Sequence, residues 1–411
     1  MQKPFKEVFV KIGFSFVPIV MDNPSESVKI LYSKQTLIFR IVSIWDLPEN
    51  VGYYRRLAFA FYSWIVTIFL VAMFAILLII KIFCDINNIS EVIRVIFNLA
   101  SSLTVLGKFL TVKMKNHLFR ELFDLLHIAD FLPKNLNEDK LFKKALQLSK
   151  TVLKLYGGMS LVSINITFLI QFLKGTRELP LPIYELIDTN VPWKYFIMYF
   201  YEYLGFGLCC VMNIAYDSLG AAFFIYIKGQ LDILSERLEA IGYKSNSKQN
   251  QLQINKELKA CAIYYDLILD LTHLMEELMC LPLSIQILCS VLVLIANFYV
   301  LSMIILAAGE EVLNFIRCFL YQCCMFAQIF ILCYFANEVT LTSEKLSLAI
   351  YKANWVDWNK ENRKLALQMM ARLDLPIRIK TINRCYSFNL TAFTSIVNSS
   401  YSYFALLKNF N

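Results

Sequence analysis

Seven runs of mostly apolar residues recur along the chain, at roughly 57–80, 92–112, 151–173, 193–226, 281–306, 314–336 and 386–408. Each approaches the length that a helix rising about 1.5 Å per residue needs to cross about 30 Å of hydrocarbon. The pattern predicts an all-α, polytopic membrane protein with seven transmembrane helices. Connections alternate in length. Those at 81–91, 174–192 and 307–313 are short, whereas 113–150, 227–280 and 337–385 are long, charged and helical in pattern.

Composition agrees with lipid as the solvent. Apolar residues make up 58% and charged residues 18%, against about 45–50% and about 25% in soluble domains. A net charge of +8 raises the question of nucleic acid, but the basic residues form no block and follow the topology instead. Segments 1–56, 113–150, 227–260 and 337–383 hold 30 of the 40 Lys and Arg; segments 81–91, 174–192, 307–313 and 409–411 hold 3. Cytoplasmic segments retain basic residues, so the expectation is a cytosolic N-terminus and an extracellular C-terminus. That orientation opposes a G-protein-coupled receptor. No small-residue cleavage site follows the apolar run at Ile12 to Val20, so no signal peptide is expected. The outer connections carry more acids than bases, which concentrates cations weakly at that mouth.

Charges within spans cost free energy in hydrocarbon. Arg94, Lys108, Lys154 and Arg317 stand within a few residues of span ends, where long side chains are expected to snorkel toward water. Glu202 and Asp217 lie deeper, in the fourth span, and call for basic neighbours; Arg317 is the candidate for Glu202. The 11 cysteines show no C-x-x-C, and most sit in apolar runs as small hydrophobes. His117, His127 and His273 are too few and too scattered for a zinc or catalytic centre, and no span carries a paired acid and base, so no cofactor and no enzyme is expected. A transporter is disfavoured by the lack of an internal repeat or of paired Gly/Pro-broken spans.

The seventh run is rich in polar residues. Ser395, Ser399, Ser402, Leu406 and Asn409 recur at intervals of one helical turn. Such a stripe permits close helix packing, or wets a water path that an apolar ring closes. A single helix cannot enclose a pore, so the second alternative requires several subunits.

The last 80 residues resemble the insect odorant receptor family. Tyr334, Phe335, Asn337, Glu338, Ser343, Ala349, Tyr351 and Trp355 meet one family pattern, and Lys364, Leu367, Met369, Met370, Arg372 and Pro376 meet a second. FNLTAFTSIVNSSYSYFALLK is similar to the family's final span, and Trp45, Pro48, Arg56 and Tyr62 resemble the segment before the first. Ala336 replaces a frequent glycine, and Thr381 to Cys385 replace the small residues usual before the last span. Gustatory receptors end in a motif to which Ser402-Tyr403 through Phe410 is a relaxed match.

The resemblance implies a tuning subunit of a heterotetrameric, ligand-gated, non-selective cation channel in the plasma membrane of a sensory neuron. Its partners are the odorant receptor co-receptor and a small volatile organic ligand. The co-receptor itself has a longer loop between spans four and five than 227–280 allows. The alternative is a gustatory-type homotetramer. The implied organisation is a cytosolic segment 1–56, a bundle 57–336 with a ligand pocket in its outer half, a cytosolic subunit-contact region 337–385, and a pore-lining helix 386–411. Pocket candidates on the outer halves of spans two to six are Phe97, Ser101, Ile164, Phe168, Phe172, Tyr199, Tyr203, Phe206, Phe298, Tyr299, Tyr321, Gln322 and Met325. Pore candidates are Ser399, Ser402, Leu406, Asn409 and Phe410. Asn88 is the one sequon placed for glycosylation, because those at Asn165, Asn389 and Asn398 lie in spans.

Overall fold

The computed structural model describes residues 24–42, 45, 52–175, 177–242, 249–306, 312–380 and 387–410. Among them the backbone is helical apart from turns, short 3-10 segments and one isolated bridge between Lys380 and Ser387. In chain order the helices are α1 (Pro24–Ile41), α2 (Tyr53–Cys84), α3 (Ile89–Met114), α4 (Asn116–Leu126), α5 (Leu136–Lys174), α6 (Pro192–Glu239), α7 (Gln249–Leu306), α8 (Val312–Glu344), α9 (Leu346–Lys352), α10 (Lys360–Leu373) and α11 (Leu390–Phe410). α2, α3 and α5 to α8 are long and apolar enough to cross a membrane. α11 supplies a seventh helix of 21 residues, about 30 Å long.

The helices that carry the apolar runs outlast them. α6 has 48 residues and α7 has 58, lengths of about 70 and 90 Å. Their extra turns form a second, membrane-distal bundle with α1, α4, α9 and α10, as the charged helical pattern of the long connections predicts. Local chemistry fixes its joints. Asn135 caps α5 by accepting the Glu138 backbone N–H at 2.8 Å, and Arg237 on α6 clasps the Glu138 carboxylate with two bonds of 2.8 and 3.0 Å. Asn359 caps α10 in the same way. Ser343 accepts the Ile377 backbone N–H at 2.9 Å, and Arg372 pairs with Asp266, so two of the C-terminal motif residues tie the α10 region to α8 and α7. Trp45 lies buried against Phe119 and Phe123, and Tyr62 donates to the Ile41 carbonyl at 2.7 Å. The segment Thr381 to Cys385 lies outside the described residues.

The connection between α5 and α6 folds back onto the bundle. Leu181 and Ile183 bury with Phe74, Leu77 and Val95, while Gln171 and Tyr195 both donate to the Glu178 carbonyl. Asp188 accepts from the Asn190 backbone and side chain at 3.1 and 2.7 Å, and those bonds hold its carboxyl below its ordinary pKa. It stays ionised at neutral pH.

Two expectations about buried charge need correction. Lys108 does not snorkel: its side chain is fully buried, and its ammonium meets the Asp217 carboxylate at 2.6 Å and the Asn213 side-chain carbonyl at 2.7 Å. In the α3 helix its side chain points into the bundle, where Asp217 on α6 replaces water. Glu202, in turn, forms no pair with Arg317. One carboxylate oxygen accepts the Leu181 backbone N–H at 3.2 Å and the other has no partner. Arg94 and Lys154 keep the exposed positions expected for span ends.

The Lys108–Asp217 pair joins four helices, because Tyr156 of α5 and Gln328 of α8 also donate to Asp217, at 3.3 and 2.7 Å. Removing one partner strands the other charge in an apolar interior, at a cost of about 3–5 kcal/mol. Lys108→Met and Asp217→Asn should each sharply lower the melting temperature and folded yield in detergent. The double variant should recover much of the loss, since it buries no uncompensated charge. Single variants as stable as the parent would mean that the pair is solvated.

Candidate functional site

Above this pair, α3, α5, α6, α7 and α8 leave a cavity of about 80 Å³. A single water needs about 10–15 Å³ of such space, so the cavity holds several waters or one small organic molecule. Tyr156, Asn213 and Gln328 form its floor, and these three groups are the ones that hold Lys108 and Asp217. Val105, Ile164, Ile214, Val293 and Met325 supply apolar walls. Hydroxyls alternate with them because two helices present serine and threonine inward: Ser101, Ser102 and Thr104 on α3, and Ser160, Ser163 and Thr167 on α5. Several of these hydroxyls bond back to a carbonyl one turn earlier, which is how a small polar side chain is satisfied within a buried helix.

Thr167, Phe206 and Tyr321 line both this cavity and a second, larger groove of about 450 Å³ beneath the α5–α6 connection. They form the partition between the two spaces. Tyr321 is held there by a 2.7 Å hydrogen bond to Ser101 and by the edge of Phe97, 4.7 Å between ring centres. The groove is polar and bears charges of both signs, including Glu91, Arg94, Glu185 and Arg317.

Of the pocket residues expected from sequence, Ser101, Ile164, Phe206, Tyr321 and Met325 line the cavity, and Phe97 joins Phe206 and Tyr321 at the groove. The others lie elsewhere. Phe168, Tyr199 and Tyr203 form a separate aromatic cluster, with Tyr199 donating to the Phe168 carbonyl and Tyr203 to Asn165. Phe172 is exposed, and Tyr299 is buried away from the cavity. Phe298 packs on Tyr401 and Phe404 of α11, while Gln322 accepts from Asn297 at 2.5 Å. Sequence reasoning missed Tyr156, Asn213, Ser290 and Gln328. The available signal was Asn213 and Asp217, four residues apart within one apolar span, since buried polar groups in membrane helices face the interior. Cys209, Cys210, Cys289 and Cys324 also line the space. Among the described residues no His, Cys, Asp and Glu cluster has metal-binding geometry.

α11 packs on α7 and α8 through Ala392, Ile396 and Ser400. Its polar stripe faces away: Ser395, Ser402 and Leu406 are exposed and Ser399 is half-buried. The side chains of Asn409 and Phe410 lie outside the described residues. Asn88 is exposed at the start of α3.

Comparison with known proteins follows the same architecture. A sequence profile of the family described as 7tm odorant receptor matches residues 88–401. Odorant receptor 46a of Drosophila melanogaster is similar in both isoforms. Isoform A is 37% identical over 94% of this chain and 100% of its own length; isoform B is 35% identical over 92% and 98%. Among solved structures, the insect olfactory receptor OR5 from Machilis hrabei superimposes with a TM-score of 0.82 at 18% identity, over 95% of this chain and all of its own. The same receptor in complex with eugenol gives 0.81. The fold, the multi-pass helices and the match over most of the chain place this protein in the insect odorant receptor family, a family of receptors and not of enzymes.

Proposed function

We propose that this chain is an odorant-binding tuning subunit of a ligand-gated, non-selective cation channel, assembled with the odorant receptor co-receptor as a tetramer in the plasma membrane. The cavity among α3 and α5 to α8 carries this reading. It is of small-molecule size, mixes apolar walls with a few fixed polar groups, and is parted from the groove by Thr167, Phe206 and Tyr321. That a receptor of the same fold was solved with eugenol supports a small organic ligand. The bias of basic residues supports a cytosolic N-terminus and an extracellular groove. The residues 337–380 turn Leu348, Tyr351, Leu367 and Leu375 outward, an apolar surface suited to a neighbouring subunit. The exposed stripe of α11 suits a pore wall, in which Leu406 supplies part of an apolar constriction that closes by dewetting.

Whole-cell recording tests the assembly. Cells expressing this chain with the co-receptor should show odorant-evoked cation current, and cells expressing it alone should show none; current from the chain alone would favour a gustatory-type homotetramer. Val293→Phe, which fills the cavity, should abolish the odorant response and spare currents evoked by a co-receptor agonist. Leu406→Ala should raise resting current or alter ion permeability, with a partial effect because only some pore helices change. Unaltered permeation at normal expression would leave α11 as a packing helix. For topology, sugar should attach at Asn88 and never within 1–56 or 113–150; glycosylation of an acceptor site placed in either of those segments would invert the orientation.

A further inference from the structure

We infer that the cavity reads a neutral hydrogen-bond acceptor on its ligand, such as a ketone, ester, ether or hydroxyl oxygen, and that the Asn213 amide is the principal group that reads it. The inference rests on the reading that the cavity is the ligand site. It follows from which hydrogens of the lining groups remain free.

The charge pair beneath the floor fixes the orientation of two side-chain amides. An ammonium only donates, so the 2.7 Å contact of Lys108 with Asn213 falls on the amide oxygen. The two N–H of Asn213 are thereby turned away from Lys108, and among the described residues they have no acceptor. Asn213 lines the cavity and keeps part of its surface accessible, whereas Lys108 and Asp217 are buried and do not line it. A carboxylate only accepts, so the 2.7 Å contact of Gln328 with Asp217 takes one N–H of that amide and leaves the second free. Neither amide can flip without setting donor against donor or acceptor against acceptor.

Ser290, on α7, adds a third donor. It lines the cavity, is 1% exposed, and its Oγ has no hydrogen-bond partner. Several of the other hydroxyls are engaged: Ser102 with the Asn98 carbonyl at 3.0 Å, Thr104 with the Ser101 carbonyl at 2.6 Å and Thr167 with the Ser163 carbonyl at 2.9 Å. Free donors therefore reach the cavity from α6, α7 and α8. A lone pair brought by the ligand can pair with them. A hydrocarbon of the same size excludes water and leaves buried donors unpaired, which costs free energy. A ligand hydroxyl qualifies through its lone pairs, and its hydrogen is not required. The acceptor is a neutral one, because Asp217 already meets the Lys108 charge at 2.6 Å and no net positive charge faces an anion entering a desolvated site.

The test uses the full-length chain co-expressed with the co-receptor, and matched pairs of compounds. Methyl ketones of increasing length, with acetophenone, are set against the alkenes that carry a terminal methylene in place of the oxygen, with α-methylstyrene. Shape is kept and only the lone pairs are lost. Asn213→Leu should shift the ratio of half-activating concentrations, ketone to alkene, about tenfold against the ketone, the size of one buried hydrogen bond. Comparing ratios cancels the different hydrophobicity of the two compounds and any general loss of receptor at the surface. Ser290→Ala, whose Oγ has no partner to lose, should shift the ratio the same way by several-fold, and it carries the test where Asn213→Leu fails to reach the surface. An alkene silent on the parent receptor is the extreme of the expected result when the substitutions weaken the ketone. If neither substitution moves the ratio or weakens the ketone, or if no ketone activates the parent, the inference fails. Val293→Phe then separates the two readings. Loss of the odorant responses that remain keeps the cavity as the site with only the ligand class wrong; unmoved responses sink the site assignment as well.

Discussion

A lysine ammonium and an aspartate carboxylate facing each other at 2.6 Å among apolar helices constrain the whole bundle. Neither charge can be left alone in an interior that excludes water, so α3 and α6 must dock at the register that brings Lys108 to Asp217. The remaining lone pairs and protons need partners too, and they draw in Asn213, Tyr156 and Gln328. Helices that carry mostly Leu, Ile and Phe could otherwise slide or rotate at little cost, because lipid tails are as apolar as their side chains. The polar contact fixes what apolar contact leaves free.

The cavity beside the pair is a consequence of that register. Side chains held on a charge pair cannot also fill the space beside it, and the serines and threonines of α3 and α5 are too small to reach across. The floor is therefore rigid and polar, the walls adaptable and apolar. Tyr321 closes the other side, hydrogen-bonded to Ser101 and packed on Phe97, and it borders both cavity and groove.

Much of the fold was legible in the sequence, since hydrocarbon thickness dictates the apolar run length and the runs are long. The helical extensions of α6 and α7 were readable in the charged connections. The candidate site was harder. Ser101, Ile164, Phe206, Tyr321 and Met325 were named and do converge, because the search favoured aromatic and apolar residues in the outer halves of spans. The same search also gathered Phe168, Tyr199 and Tyr203, which pack among themselves. Which face of a wholly apolar helix turns inward is not encoded in its periodicity, as the near-uniform hydropathy around α6 and α7 illustrates. Lys108 was misplaced for a related reason: its distance from the span end permitted snorkelling, and only the position of Asp217 decides against it.

The most direct measurement is a cryo-electron microscopy structure of the receptor with the co-receptor in lipid nanodiscs, with and without a saturating activating odorant. The account predicts new density between Ser290, Thr167 and Tyr321, resting on Tyr156, Asn213 and Gln328, with the Lys108–Asp217 pair intact beneath it. Ligand density confined to the outer groove or to a subunit interface, with this cavity unchanged, would contradict it.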